Sequence, residues 1–188
     1  MAEPRLYIYG PVLDRIRALP ARPWEVGGWL LGYSDEAEGA IVVTHATPPN
    51  CGTPYFVRIS GRHHRRYFDE AYESSSRHVT FLGDWHTHPG GVPIPSSRDE
   101  RAMHQLAEDP DYGEGPLLIA IAGTARWPRQ AARVDICFYT LDCGKPVRLH
   151  PHQLNQLPPP TDRVPSWVWP SSRGGISRSS QRQTNSQS

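Results

Sequence analysis

The stretch Gly83-Asp84-Trp85-His86-Thr87-His88-Pro89, continued by Gly-Gly-Val-Pro-Ile-Pro-Ser96-Ser97-Arg98-Asp99, decides how this chain is read. Val79 to Trp85 is rich in β-formers and predicts a strand. His86 and His88 stand two apart at its end. Alternate strand residues point the same way, so both imidazoles can converge on one ion. Pro89 ends the strand, and the following Gly/Pro/Ser run is loop chemistry that lets the chain double back. A helix is predicted over Ser97 to Ala107, with Ala102, Met103 and Leu106 facing inward. Ser96 or Ser97 can cap it, and Ser97 with Glu100 has capping-box spacing. Asp99 falls in its first turn, eleven residues after His88. Two His and one Asp make three protein donors. A fourth tetrahedral position then stays open for water, the pattern of a catalytic rather than a structural zinc.

Zinc-bound water still needs a proton acceptor, and a leaving group needs a donor. Glu25, in Pro23-Trp24-Glu25-Val26-Gly27-Gly28, is the candidate. It adjoins a Gly-rich turn leading into a buried strand. Taken alone, it reads as a solvated loop residue.

Working outward, further strands are predicted at Leu6–Tyr9, Gly28–Tyr33, 40–46, Tyr55–Arg58, Leu117–Ala122 and Val134–Leu141. Helical spacing marks Val12–Leu19, stopped by Pro20. It marks His63–Ser76 as well, where Tyr67, Phe68, Ala71 and Tyr72 share a face. This order gives an α/β sheet with helices on its faces. His63 and His64 are expected to face solvent, and Arg62, Arg65 and Arg66 form a solvated basic run. Trp85 is expected to pack beneath the His pair.

With 188 residues, the chain has room for one domain and a tail. The domain is expected over residues 1–157. Residues 158–188 are rich in Pro, Ser, Gln, Gly and Arg and are expected to be mostly disordered, with Trp167 and Trp169 as docking aromatics. Twenty basic residues against 19 acidic give a net charge of +1, which argues against a nucleic-acid partner. No apolar run approaches a membrane span. The start, MAEPRLYIYG, has no secretory pattern, so a cytoplasmic location is expected. Cys51, Cys137 and Cys143 form no Cys-x-x-Cys pair, so they imply neither a disulfide framework nor a cysteine zinc site.

His-x-His alone is a weak signal. His-x-His, seven residues, Ser, two residues, Asp arises by chance in on the order of one chain in a thousand. With Glu25, His86, Thr87, His88, Pro89, Ser96 and Asp99, the sequence resembles the JAMM motif of MPN+ (JAB-domain) metalloproteases. Glu25-Val-Gly-Gly-Trp-Leu-Leu-Gly32 is similar to that family's first core strand. The resemblance spans residues 5 to 150. It implies the MPN fold, a curved mixed β-sheet flanked by helices with a cytidine-deaminase-like layout. A deaminase itself is disfavoured, because its Pro-Cys-x-x-Cys ligands are absent. The resemblance implies one Zn2+ per chain, held by His86, His88 and Asp99. It makes Glu25 the general base and then acid, and Ser96 the donor to the oxyanion.

The implied activity is cleavage after the C-terminal glycine of a ubiquitin-like protein or its conjugate. Phe56-Val57-Arg58, Arg65-Arg66-Tyr67 and the His-Pro segment further resemble small prokaryotic JAB proteins. Those accompany E1/E2-like conjugation enzymes in CBASS-type anti-phage operons. Two alternatives stand beside this reading. One is a processing peptidase for a ubiquitin-like sulfur carrier. The other is a non-catalytic MPN scaffold that binds a ubiquitin-like partner.

Overall fold

A computed structural model describes residues 4–35, 37–59, 61–110, 115–124 and 134–157. The expected tail, with Trp167 and Trp169, lies outside the described residues. The elements run β1 (Arg5–Tyr9), α1 (Gly10–Arg17), β2 (Val26–Asp35), β3 (Ala40–Ala46), β4 (Asn50–Cys51), α2 (Gly61–Ser74), β5 (Thr80–Pro89), α3 (Ser97–Ala107), β6 (Leu118–Thr124), β7 (Asp135–Asp142), β8 (Lys145–Leu149) and β9 (Pro151–Leu154). The architecture is the expected mixed α/β sheet with helices on its faces.

The strand order is β8-β7-β6-β5-β2-β3-β1-β9, with the short β4 on β2. Only His150 separates β8 from β9. One extended segment therefore pairs with β7 at one end of the order and with β1 at the other, through Phe138↔Leu149 and Leu6↔Pro151. The sheet curls until its two ends meet. The sequence signals no strands here, because Pro146 and Pro151 interrupt the apolar run. Each of these strands bonds on one side only, so a missing N–H is tolerated.

Helix α1 lies inside the curl. Pro11 at its start costs no helical bond. Val12, Leu13 and Ile16 join Leu6, Leu30, Trp85, Phe138 and Leu149 in the main core. A Cβ at Gly10, where α1 leaves β1, would meet the end of the Gln153 side chain at 2.6 Å and the Leu154 carbonyl oxygen at 3.3 Å, contacts that a shift of the glutamine can largely relieve.

Two smaller clusters cover the opposite face. Trp29, Leu31, Ala71 and Val79 pack under α2. Met103, Ile119, Ile121, Cys137 and Tyr139 pack under α3. The candidate site lies on this face of the central strand β5.

A bulge sets which β5 side chains face it. Leu30 pairs with Gly83 but Leu31 pairs with Phe81, so Leu82 is an extra residue. Leu82 and Trp85 both join the main core as a result, and Asp84, His86 and His88 point to the other face. Gly83 makes this possible. Its φ is +142°, and a Cβ would meet the Leu118 carbonyl oxygen at 1.8 Å.

Three expectations are corrected. Tyr55–Arg58 is not a strand. Thr53 Oγ1 accepts hydrogen bonds from the Tyr55 and Phe56 N–H groups at 3.3 and 3.2 Å, closing a turn that competes with a ladder. His64 is fully buried rather than solvent-facing. It lies four and seven residues before Phe68 and Ala71, on their helical face, and its Nδ1 lies 2.8 Å from Thr47 Oγ1. On α3 only Met103 is buried. Ala102 is exposed and Leu106 half-buried, because one side of this short helix meets the sheet. Among the described residues, no helix is long and apolar enough to cross a membrane.

Candidate metal centre and active site

His86 sits deep on β5, paired with Gly27 of β2 and Ile121 of β6. Gly27 is needed beside it. A Cβ there would lie 2.5 Å from the Trp85 carbonyl oxygen and 3.0 Å from His86 Cβ. Trp85 is 1% exposed and packs in the main core beneath the pair, as expected. Thr87 has a role that its motif position alone did not reveal. Its Oγ1 accepts a hydrogen bond from the Val26 N–H at 3.0 Å, fixing β2 where Glu25 precedes it.

After Pro89 the chain turns at Gly90 and folds back onto β6. Gly90 N–H donates to the Thr124 carbonyl at 2.9 Å, and the Tyr139 hydroxyl donates to the Pro93 carbonyl at 2.7 Å. His88 Nδ1 lies 3.1 Å from the Val92 carbonyl oxygen. That bond requires the proton on Nδ1 and leaves the Nε2 lone pair for a ligand.

Helix α3 then presents Asp99. Its N-cap is Ser96, and the capping box is Ser96–Asp99 rather than Ser97–Glu100. Ser96 Oγ accepts from the Asp99 N–H at 3.3 Å, and Asp99 Oδ2 accepts from the Ser96 N–H at 2.7 Å. The acid that caps the helix is thus aimed at the histidines by the cap itself.

Three donors converge. His86 Nε2 and His88 Nε2 are 3.0 Å apart. Asp99 Oδ1 is 3.4 Å from His86 Nε2, and Oδ2 is 3.4 Å from His88 Nε2. Donors about 2.1 Å from one tetrahedral ion stand roughly 3.4 Å from each other, so the trio fits a single metal ion. Two neutral imidazole nitrogens and a carboxylate are also a donor set suited to zinc. Among the described residues, these three form a group able to hold a metal ion.

The three side chains are electrostatically coupled. Burial alone would raise the Asp99 pKa, but bonds to His86, His88 and Ser96 outweigh it and hold the carboxyl well below the usual range. Burial alone would lower the His88 pKa, but Asp99 and the Val92 carbonyl outweigh it and raise it.

Glu25 is part-buried just before β2, and it is not one of the three. Burial raises its carboxyl pKa. His86 and His88 pull it down, Asp99 pushes it up, and the Val57 N–H donates a hydrogen bond to it. The fold has thus brought all five expected residues to one place. Val57 contributes through its backbone, so no side-chain pattern could have announced it. One carboxylate oxygen of Asp84, on the same face, is buried with no hydrogen-bond partner.

The profile described as prokaryotic homologs of the JAB domain matches residues 11–135, well over half of the chain. The chain is 34% identical over 108 residues to a protein named CD-NTase/cGAS isopeptidase from Enterobacter hormaechei subsp. hoffmannii, covering 53% of this chain and 56% of that one. It is 27% identical over 103 residues to a probable metalloprotease, y4qB, from Sinorhizobium fredii, covering 53% and 63%. The chain thus matches only about half to three fifths of these relatives' own lengths. Its fold is similar to the solution structure of DSY2949 from Desulfitobacterium hafniense, with a TM-score of 0.54 and 16% identity over 81% of this chain and 94% of the other. The curled mixed sheet is the JAB/MPN fold, and the chain belongs to the family of prokaryotic JAB-domain homologues.

Proposed function

We propose that this chain is a zinc-dependent isopeptidase or peptidase of JAMM type. It would cut after the C-terminal glycine of a ubiquitin-like protein or its conjugate. The observation that supports this most is the convergence of His86, His88 and Asp99, with Glu25 electrostatically coupled to all three. Zinc, when bound by the trio, supplies Lewis acidity and a water of lowered pKa.

The chain's own residues do the rest. Glu25 takes a proton from the attacking water as its oxygen bonds to the glycine carbonyl carbon. Ser96 Oγ accepts from the Asp99 N–H, which leaves its hydroxyl proton free to bond the developing oxyanion. Glu25 then gives the proton to the leaving amine as the C–N bond breaks. The upward shift of the Glu25 pKa is in the direction needed by a group that must both take and release a proton.

The substrate class follows the relatives named CD-NTase/cGAS isopeptidases. A conjugated CD-NTase and the E1/E2-like enzymes of a CBASS-type system are the proposed partners. The test is elemental mass spectrometry of the purified chain and its Asp99→Ala variant, followed by a panel of ubiquitin-like fusions extended beyond their C-terminal glycine. One zinc per chain, lost in the variant, with cleavage of at least one fusion, is the expected result. A chain that takes up no zinc on reconstitution and cuts no fusion would leave the scaffold reading in its place.

A further inference from the structure

Residues 52–57 form a turn that grips Glu25 at three points. The Glu25 N–H donates to the Thr53 carbonyl at 2.8 Å, and the Gly52 N–H donates to the Glu25 carbonyl at 2.9 Å. The third point is the Val57 N–H on the Glu25 carboxylate. Other bonds of the turn are internal. Thr53 N–H donates to the Phe56 carbonyl at 2.7 Å, and Thr53 Oγ1 accepts from the next two free N–H groups. The tip of the turn stands away from the core, with Tyr55 83% and Phe56 41% exposed. Left to its own bonds, such a tip would move, and the Val57 N–H would move with it.

Arg98 reaches this tip from another element. Its Nη1 donates to the Tyr55 carbonyl at 3.3 Å, and its guanidinium carbon lies 4.9 Å over the Phe56 ring. Arg98 belongs to the first turn of α3 and is the neighbour of Asp99. Among the described residues it is in no ion pair with an acid, so this grip is its visible use. The two contacts need different properties, a directional N–H and a flat cation, and arginine supplies both at once.

We propose that Arg98 is a positioning residue for Glu25. By holding the Tyr55 carbonyl and the Phe56 ring, it ties the turn that cradles Glu25 to the helix that carries Asp99. This fixes the spacing between the proton acceptor and the metal-binding trio, and it rests on the reading of Glu25 as general base. Small misplacements of a catalytic group are costly, so the tie acts on turnover rather than on binding.

The test uses the full chain carrying Arg98→Ala, Arg98→Lys, Phe56→Ala, Phe56→Tyr, or Arg98→Ala with Phe56→Ala. Zinc content and melting temperature are checked for each. Hydrogen exchange of the peptide spanning residues 52–57 reads the grip directly. Faster exchange there is expected in Arg98→Ala, Arg98→Lys and Phe56→Ala, with wild-type protection in Phe56→Tyr. On the fusion that the wild type cuts fastest, kcat should fall about tenfold in the first three with KM nearly unchanged. The double variant should be no slower than either single one.

Unchanged exchange at 52–57 in Arg98→Ala would overturn the proposal. So would faster exchange with undiminished kcat. Full turnover in Glu25→Gln would instead overturn the general-base reading. In that case the exchange data alone would still judge whether Arg98 holds the turn.

Discussion

At the scale of single residues, the proposed chemistry depends on two carboxylates given opposite characters. Asp99 is held ionised by His86, His88 and the cap bond from Ser96. Glu25 is raised by burial. The first is suited to hold a cation and the second to carry a proton. Glu25→Gln is expected to retain one zinc per chain by elemental analysis while turnover falls by roughly 10²- to 10⁴-fold, the usual range for a lost general base. Loss of zinc in that variant would move Glu25 into the donor set. Asp99→Ala should lose the metal with little loss of fold, since Asp99 lies outside the buried clusters.

Residue-level pH effects can be separated in the same way. Burial lowers the His45 and His64 pKa values to about 4, against 6.5 unperturbed. Both fold as neutral imidazoles. Their contribution is therefore present above about pH 6.5 and is lost as pH falls toward 4. Burial raises Asp84 to about 7, so its contribution has the opposite sign, present at low pH and lost as pH rises toward 7. The three share one window and partly cancel in the wild type. Urea unfolding at pH 4.5 and 7.5 should show a smaller acid loss in His64→Asn and a larger one in Asp84→Asn. Identical acid slopes in wild type and both variants would refute these assignments.

At the scale of elements, β5 and α3 each do two jobs. The β5 bulge at Leu82–Gly83 turns His86 and His88 away from the main core and toward α3. Gly83→Ala cannot keep this geometry, since the new Cβ would collide with the Leu118 carbonyl. It should destabilise the fold by on the order of 3 kcal/mol or more in urea unfolding and lower zinc content in the folded fraction. The start of α3 is likewise both cap and site. Ser96→Ala removes the acceptor for the Asp99 N–H and should cost about 1 kcal/mol of stability. On the proposed role of Ser96 as oxyanion donor, it should also slow turnover by roughly 10²-fold. Ser96→Thr keeps the oxygen and should restore most of the stability. Equal stability of Ser96→Ala and wild type would show that the box is not energetically significant.

At the scale of the whole molecule, the meeting of β8 and β9 holds the curl closed around α1. The main core draws Leu6 from one end of the sheet and Phe138 and Leu149 from the other. Phe138 is fully buried at this junction. Phe138→Ala should cost about 3–5 kcal/mol, the range for a large aromatic removed from a packed core. A loss below 1 kcal/mol in calorimetry or urea unfolding would mean that the junction is loosely packed.

The sequence by itself determined what is local. A strand ending in His-x-His-Pro, a Gly/Pro loop and a capped helix with Asp in its first turn are all contained in residues 79–107. Strand alternation, capping and turn chemistry act over a few residues, so this trio and most elements were legible. The tertiary structure decided what depends on distant segments meeting. Glu25 acquires its character only when β2 pairs with β5 some sixty residues away, through Gly27↔His86 and the Thr87–Val26 bond. The grip of Val57 and Arg98, the burial of His64 against Thr47, and the closure by β8 and β9 are of the same kind. Long-range pairing is set by the cooperative burial of whole faces. A residue's neighbours in sequence record which face is apolar, but not which distant segment that face will meet.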